Sequence, residues 1–234
     1  MDEKRELTQW VPDGELVAGV KEVLLLLFLV DDSSSIEGAG NTQPVIDGYN
    51  NFLNEIRGAP GQVRSKIMFL HSDSEGGFVP PADVTLLSRD NYRPHGDTPL
   101  YLRSTVALVN IIEEAKRLTA EGYTVRTMTL IFTDGGDNDS RGIFASDVKT
   151  MVDEMLATGV HIVGGCAVSD GHTNFWQVFA SMGIPEHWIK VLKGGAEIGK
   201  SMTEMGRTAA GASRSAADYD RTTQTGYGQT HPDN

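Results

Sequence analysis

Residues Val23 to Val30 read Val-Leu-Leu-Leu-Leu-Phe-Leu-Val, an unbroken apolar run preceded by Lys21 and Glu22 and stopped by Asp31 and Asp32. A strand with one wet face alternates apolar and polar side chains. This run has no polar face to offer, so both of its sides must be buried. It predicts the central strand of a parallel sheet with helices on either side. At this length it falls far short of the ~20 residues needed to span a bilayer. Its charged flanks, and the lack of a small-residue cleavage site, also set it apart from a secretion signal.

The rest of the chain supplies what such a sheet requires. Ile46, Tyr49, Leu53 and Ile56 recur at the spacing of one helical face, and Gly58 is placed to end that helix. Ile67 to Leu70 reads as a second buried strand, with Gly77 to Val84 as a short antiparallel edge strand joined to it by a Ser-Asp-Ser-Glu-Gly-Gly turn. A long amphipathic helix starts at Pro99 and runs through Leu102, Val106, Val109 and Ile112 until Gly122. Val125 to Thr133 and Val160 to Val168 are β-branched, apolar strands, and Val148, Met151, Val152 and Met155 mark a helix between them that Gly159 closes. A helix over Phe175, Phe179 and Met182 and a strand over Trp188 to Leu192 continue the alternation. The expected fold is α/β, a doubly wound, mostly parallel six-stranded sheet flanked by helices, Rossmann-like in outline, with one short antiparallel edge strand. Residues 1–20 are expected to form a lead-in and residues 21–205 the domain; residues 206–234, poor in large apolar side chains, are expected to form a flexible tail.

Composition narrows the function by exclusion. In 234 residues, 32 acidic side chains face 20 basic ones, and the net charge of −12 repels a nucleic-acid backbone. The single cysteine, Cys166, lies in an apolar strand and has no partner for an internal disulfide, which points to a reducing, cytoplasmic setting. Neither a nucleotide-binding glycine fingerprint nor a Gly-x-Ser-x-Gly nucleophile turn is present.

In open α/β sheets, ligands sit beyond the carboxyl ends of the strands where strand order reverses. The first strand runs directly into Asp31, Asp32, Ser33, Ser34 and Ser35, with Asp31, Ser33 and Ser35 in the spacing Asp-x-Ser-x-Ser. The strand ending at Thr133 runs directly into Asp134 and Gly135, and Gly96, Asp97, Thr98, Pro99 and Leu100 form the loop that opens the long helix. Two carboxylates and three hydroxyls converging from three loops suit a hard divalent cation, which takes an octahedron of oxygens and keeps several waters. Neutral hydroxyl donors leave such an ion with positive charge to offer an incoming carboxylate.

These three fragments, in this order, resemble the metal-ion-dependent adhesion site (MIDAS) of von Willebrand factor A-type (VWA) domains. The resemblance covers roughly residues 22–205, and its Gly-Asp-Thr-Pro-Leu-Tyr and Thr-Asp-Gly-Gly-Asp-Asn segments look most like bacterial intracellular members found near tellurite-resistance genes. It implies that Ser33, Ser35 and Thr98 ligate the ion, Mg²⁺ or else Mn²⁺ or Ca²⁺, through their hydroxyls. It also implies that Asp31 and Asp134 act mainly through water, and that a partner protein's Asp or Glu fills the last position. The chain would then be a binding module, neither an enzyme nor a membrane-inserted protein. Asp32 departs from the pattern by placing a carboxylate where the motif is free.

Each residue also has a plain reading. Asp31 and Ser35 can stabilise a turn or cap a helix, Thr98 can cap the helix after it, and Asp134 with Gly135 is a common turn pair. Capping does not require all five together. Asp137, Asn138 and Asp139 read as a solvated loop rather than a second cation site, and His95, His161 and His172 have no second ligand at zinc spacing. Two other functions compete. A phosphoryl-transfer hydrolase needs a second aspartate two residues after the first as its proton shuttle, and Ser33 stands there. A scaffold would use the metal only to hold its loops.

Overall fold

The central run behaves as its composition demands. In a computed structural model that describes residues 21–74 and 76–227, β1 (Lys21–Val30) has strands on both sides and every residue from Val23 to Val30 buried. It pairs in parallel with β2 (Val63–Phe69) and with β3 (Tyr123–Thr133). β3 pairs with β4 (His161–Val168) and β4 with β5 (Ile189–Leu192), giving the order β2-β1-β3-β4-β5. The strand order reverses at β1, between its two neighbours, which makes the β1–β3 crevice the switch point of a doubly wound sheet.

Between and after the strands lie α1 (Ser34–Gly38), α2 (Thr42–Arg57), α3 (Leu100–Ala120), α4 (Ala145–Ala157), α5 (Phe175–Ser181), α6 (Ile198–Ala212) and α7 (Ala216–Thr225). α2 packs on one face of β1, where Phe28 meets the rings of Tyr49 and Phe52 at centroid distances of 5.9 and 4.7 Å, and α6 packs against α2. α3 covers β1 and β3, followed by α4 on β4 and α5 on β5. Right-handed crossovers that move first one way and then the other along the sheet place these three helices on the opposite face. No helix among the described residues is long and apolar enough to cross a membrane.

Two expectations need correction. The described sheet has five strands, all parallel, where six with an antiparallel edge were expected. The segment Gly77 to Val84 makes a single antiparallel bridge, Val79 to Ser65, with N–H···O distances of 2.8 and 3.1 Å. Pro80 and Pro81 follow at once and have no N–H to continue a ladder. Arg57 instead takes up the carbonyls of Pro81 and Val84 at 3.0 and 2.9 Å.

The second correction concerns the tail expected from Gly206 onward, which is helical through Thr225. Its burial is carried by small residues that a search for large apolar side chains passes over. Gly206, Ala209 and Ala212 are buried beside Met202 and Met205. At Gly206 a Cβ would stand only 2.8 Å from the Phe52 carbonyl oxygen of α2, so the two backbones touch where no side chain fits. Ser215 caps α7 by accepting from Asp218 N at 3.1 Å, and the buried Tyr219 donates to the Thr127 carbonyl at 2.8 Å, tying α7 to β3. Residues 1–20 and 228–234 lie outside the described residues.

The tight helix contact gives a prediction with an internal control. Gly206→Ala should destabilise the fold by about 1–3 kcal/mol through overpacking. Gly199→Ala, in the same helix with nothing within 4 Å of the new methyl, should be neutral or slightly stabilising. Urea unfolding monitored by circular dichroism reads both, and equal midpoints for wild type and Gly206→Ala would contradict the packing described.

Candidate metal centre

The crevice between β1 and β3 receives the ends of both strands. Asp31 N donates to the Phe132 carbonyl at 2.9 Å, so the first residue beyond β1 is still paired to β3. Its side chain is fully buried and works as a joint between the two strand ends. Oδ1 accepts from Ser33 N at 2.8 Å; Oδ2 accepts from the Thr133 hydroxyl at 2.6 Å and from Asp134 N at 3.3 Å. This also satisfies the turn reading of Asp31, which holds alongside any role toward a cation.

From that joint the hydroxyls line up. The Ser33 and Ser35 hydroxyls lie 2.9 Å apart, and the Ser35 hydroxyl donates to Asp134 Oδ1 at 2.5 Å. The other oxygen of Asp134 accepts from Asn41 Nδ2 at 3.3 Å. Thr98 joins through Gly135: a Cβ on that glycine would be 3.3 Å from the Thr98 hydroxyl and 3.5 Å from that of Ser35. All five expected residues, Asp31, Ser33, Ser35, Thr98 and Asp134, therefore meet in one place. Asp31, Ser33, Thr98 and Asp134 are buried, whereas Ser35 is exposed, so the cluster opens to solvent on the α1 side.

The capping alternative for Thr98 fails on geometry. α3 begins at Leu100, and no side chain of the residues preceding it caps it. Its first N–H groups are satisfied from the loop after β3: Asp137 accepts from Tyr101 N at 3.2 Å and Ser140 from Leu102 N at 3.0 Å. Asn138 accepts from Thr98 N at 2.7 Å and returns its own N–H to the Thr98 carbonyl at 3.1 Å. The loop that read as solvated is thus the cap of α3. Among the described residues the Thr98 hydroxyl itself has no hydrogen-bond partner, although the residue is only 3% exposed.

Electrostatics point the same way. Asp31, Asp32 and Asp134 are all buried, and none takes part in an ion pair among the described residues. Burial raises the pKa of Asp31, opposed by its bonds from Ser33, Thr133 and Asp134. Burial likewise pushes Asp134 up to about 6, with the charges of Asp31 and Asp170 adding to the rise and the bonds from Ser35 and Asn41 resisting it. Asp32 is spent elsewhere. Its carboxylate accepts from His71 N and Ser72 N at 2.6 and 3.0 Å, and its carbonyl from His95 N at 2.7 Å. It pins the loop after β2 and the loop before Thr98, and the extra carboxylate in the motif is accounted for by that work.

The donors fit a hard cation. Oxygens alone converge, and among the described residues no group of three or more His, Cys, Asp or Glu side chains is placed to hold a metal. Three weaker signals resolve as ordinary structure: the His95 ring packs edge-on against His71 at 4.6 Å, His161 bonds the Thr127 hydroxyl at 2.6 Å, and His172 is exposed in a turn. Sequence reasoning gave no hydrogen-bonding role at the site to Asn41, Thr133 or Asn138. Thr133 was within reach, since it directly precedes Asp134 at the end of a strand. Asn41 and Asn138 bear no local signal of their partners, which lie 93 and 40 residues away.

No family model and no curated protein matches the sequence. Solved structures do. Proximal thread matrix protein 1 from the mussel byssus aligns with TM-score 0.57 at 16% identity, over 82% of this chain and 47% of that one. A second crystal structure of it, at TM-score 0.53, is described as having a zinc occupied MIDAS motif. The pilus adhesin SpaC from Lactobacillus rhamnosus GG aligns with TM-score 0.61 at 15% identity, over 83% of this chain and 31% of that one. The vWF domain of the type V pili tip protein Mfa5 from Porphyromonas gingivalis aligns with TM-score 0.55 at 9% identity, over 81% and 96%. The chain spans about half or less of the length of the first two. At these identities the likeness is one of architecture, and the architecture is that of the von Willebrand factor A-type domain.

Proposed function

We propose that the chain is a metal-dependent protein-interaction module, in which a divalent cation held at the β1–β3 crevice takes an Asp or Glu of a partner protein. The observation that carries this reading is the convergence of Asp31, Ser33, Ser35, Thr98 and Asp134, with buried carboxylates that no basic side chain among the described residues pairs with. Buried charge without a counter-charge is costly, and a bound cation removes the cost. In this reading Ser33, Ser35 and Thr98 hold Mg²⁺, or Mn²⁺ or Ca²⁺, through hydroxyls, while Asp31 and Asp134 orient those hydroxyls and hold water. When bound, the ion supplies a Lewis-acidic position for a carboxylate. The adhesin and the zinc-bearing matrix protein among the structural relatives support this use of the fold.

The hydrolase reading is weaker for a local reason. Where an acid–base aspartate would be needed, Ser33 stands with its hydroxyl bonded to Ser35. Turnover of a generic phosphate ester, lost in Asp31→Ala, would favour it over the binding module.

Three outcomes are expected. Isothermal titration should show Mg²⁺ binding that is lost in Asp134→Ala and weakened on the order of 10–100-fold in Asp31→Asn, whose role is to orient donors. Gly135→Ala should weaken Mg²⁺ binding while leaving the metal-free melting temperature near wild type, because the methyl intrudes between the Thr98 and Ser35 hydroxyls and meets no backbone atom there. Unchanged affinity in Gly135→Ala would place the ion elsewhere.

The third outcome concerns pH. Asp134 ionises in the folded chain near 6, against an ordinary value of 3.8, so its contribution to metal-free stability is fully present below about 3.8 and is lost as pH rises through about 6. A cation needs the ionised form. The Mg²⁺-induced rise in melting temperature should therefore be largest above about 6 and fade below it. A shift independent of pH across that window would argue against Asp134 as part of the site.

A further inference from the structure

The surroundings of the candidate centre carry more negative charge than an ion there would balance. Asp31, Asp32 and Asp134 are buried at or beside it, so one divalent cation still leaves the interior of this face negative. Around it stand Glu37 on α1, Asp97 next to Thr98 and Asp170 in the loop after β4, all exposed, with Asp139 half-buried in the loop after β3.

Contacts hold the carboxylates of Glu37 and Asp170 and the backbone of Asp97 in place. Glu37 accepts from the Thr42 hydroxyl at the start of α2, and Asp97 N donates to His71 Nδ1 at 3.2 Å. Asp170 accepts from His172 N and Thr173 N at 2.8 and 2.7 Å, and the Thr173 hydroxyl lies 3.7 Å from where a Cβ of Gly136 would stand, two residues beyond Asp134. Three arginines of the neighbouring elements have partners of their own, and two of them reach a carboxylate. Arg141 makes two bonds of 3.1 Å to Asp139, Arg103 holds the carbonyls of Leu70 and His71 at 3.1 and 3.3 Å together with Asp73, and Arg93 turns to the Arg89 carbonyl at 3.3 Å. With Asp139 taken up by Arg141, the carboxylates of Glu37, Asp97 and Asp170 are those on the rim with no ion pair among the described residues.

The centre that the rim surrounds also offers an open oxygen. The Thr98 hydroxyl, on a residue 3% exposed, faces the same cluster without a partner among the described residues. Building on the reading of the site as a cation-held carboxylate receptor, we propose that the partner's acidic residue lies within a basic segment. Lysine or arginine on either side of the partner's acid pairs with Glu37, Asp97 and Asp170 while that acid takes the ion. Successive residues of an extended segment advance about 3.3 Å each. Flanking charges within two or three positions of the acid thus fall inside the ~10 Å over which charges act at 0.1 M salt. The rim then selects among acidic ligands by their neighbours, a discrimination that the ion alone cannot make.

Fluorescence anisotropy on the full chain tests this, with labelled peptides carrying one central aspartate flanked by lysine, serine or glutamate, each in Mg²⁺ and in EDTA, and a lysine-flanked peptide with asparagine at the centre. In Mg²⁺ the lysine-flanked aspartate should bind on the order of tenfold tighter than the serine-flanked one and the glutamate-flanked one weakest, with the spread shrinking at high salt. The double variant Asp97→Asn with Asp170→Asn should narrow the spread. Equal Mg²⁺-dependent binding of all three contexts overturns the basic-segment proposal and leaves the cation-dependent receptor intact. Mg²⁺-dependent binding of none of the aspartate peptides, or lysine-peptide binding that survives EDTA or the central asparagine undiminished, overturns both.

Discussion

A buried carboxylate at the end of the most apolar strand is the constraint on which the rest of this structure depends. Asp31 follows Val30 without an intervening residue and stays fully buried, so its charge must be answered locally. The answer comes from Ser33 N, the Thr133 hydroxyl and Asp134 N, which belong to the turn after β1 and the end of β3. Satisfying one carboxylate therefore fixes two loops relative to each other. Asp134, held at its backbone, orients the Ser35 hydroxyl, and Ser35 meets Ser33. The order in the candidate centre is inherited from the sheet register beneath it.

The third loop is held by separate devices. Ser34 N donates to the Gly96 carbonyl at 3.0 Å, and Gly96, at φ of 74°, leaves room for the His71 ring that a side chain there would strike. Asp32 ties the loops after β2 and before Thr98 to the turn after β1, and Asn138 clasps Thr98 at both its N–H and its carbonyl. Binding groups supported in this way lose little freedom when a ligand arrives, which is what a preorganised site requires.

How much of this was legible in the sequence follows from where each signal resides. Strands buried on both faces announce themselves by continuous apolar runs, and β1, β3 and β4 were read within a residue or two of their limits. The five candidate residues were legible because each sits directly at the end of a strand or at the opening of a helix, and all five were brought together. What failed had no local signature. Helices α6 and α7 bury glycine, alanine and methionine against other helices, and a composition rich in small residues reads as a tail until the partner surface is seen. The supposed edge strand had the β-branched residues of a strand, but Pro80 and Pro81 removed the donors a ladder needs. The caps supplied to α3 by Asp137 and Ser140 depend on a loop more than 35 residues away in sequence, as their separations of 36 and 38 show.

In the proposed reading, the division of labour between hydroxyls and carboxylates is what would let a site so rich in acid take another acid. A cation bound directly by several carboxylates is neutralised where it sits and has little left for a ligand. Here two of the three buried aspartates already spend their oxygens on backbone and hydroxyl donors, and Asp134 spends its own on Ser35 and Asn41. The groups without such commitments are neutral oxygens: the unpartnered Thr98 hydroxyl, and the serine hydroxyls whose acceptor capacity remains open. An ion in contact with those keeps most of its charge, and the carboxylates stabilise it from a distance that does not quench it. In the proposed reading, serine at position 33 leaves no acid–base aspartate there and offers the ion a neutral oxygen instead.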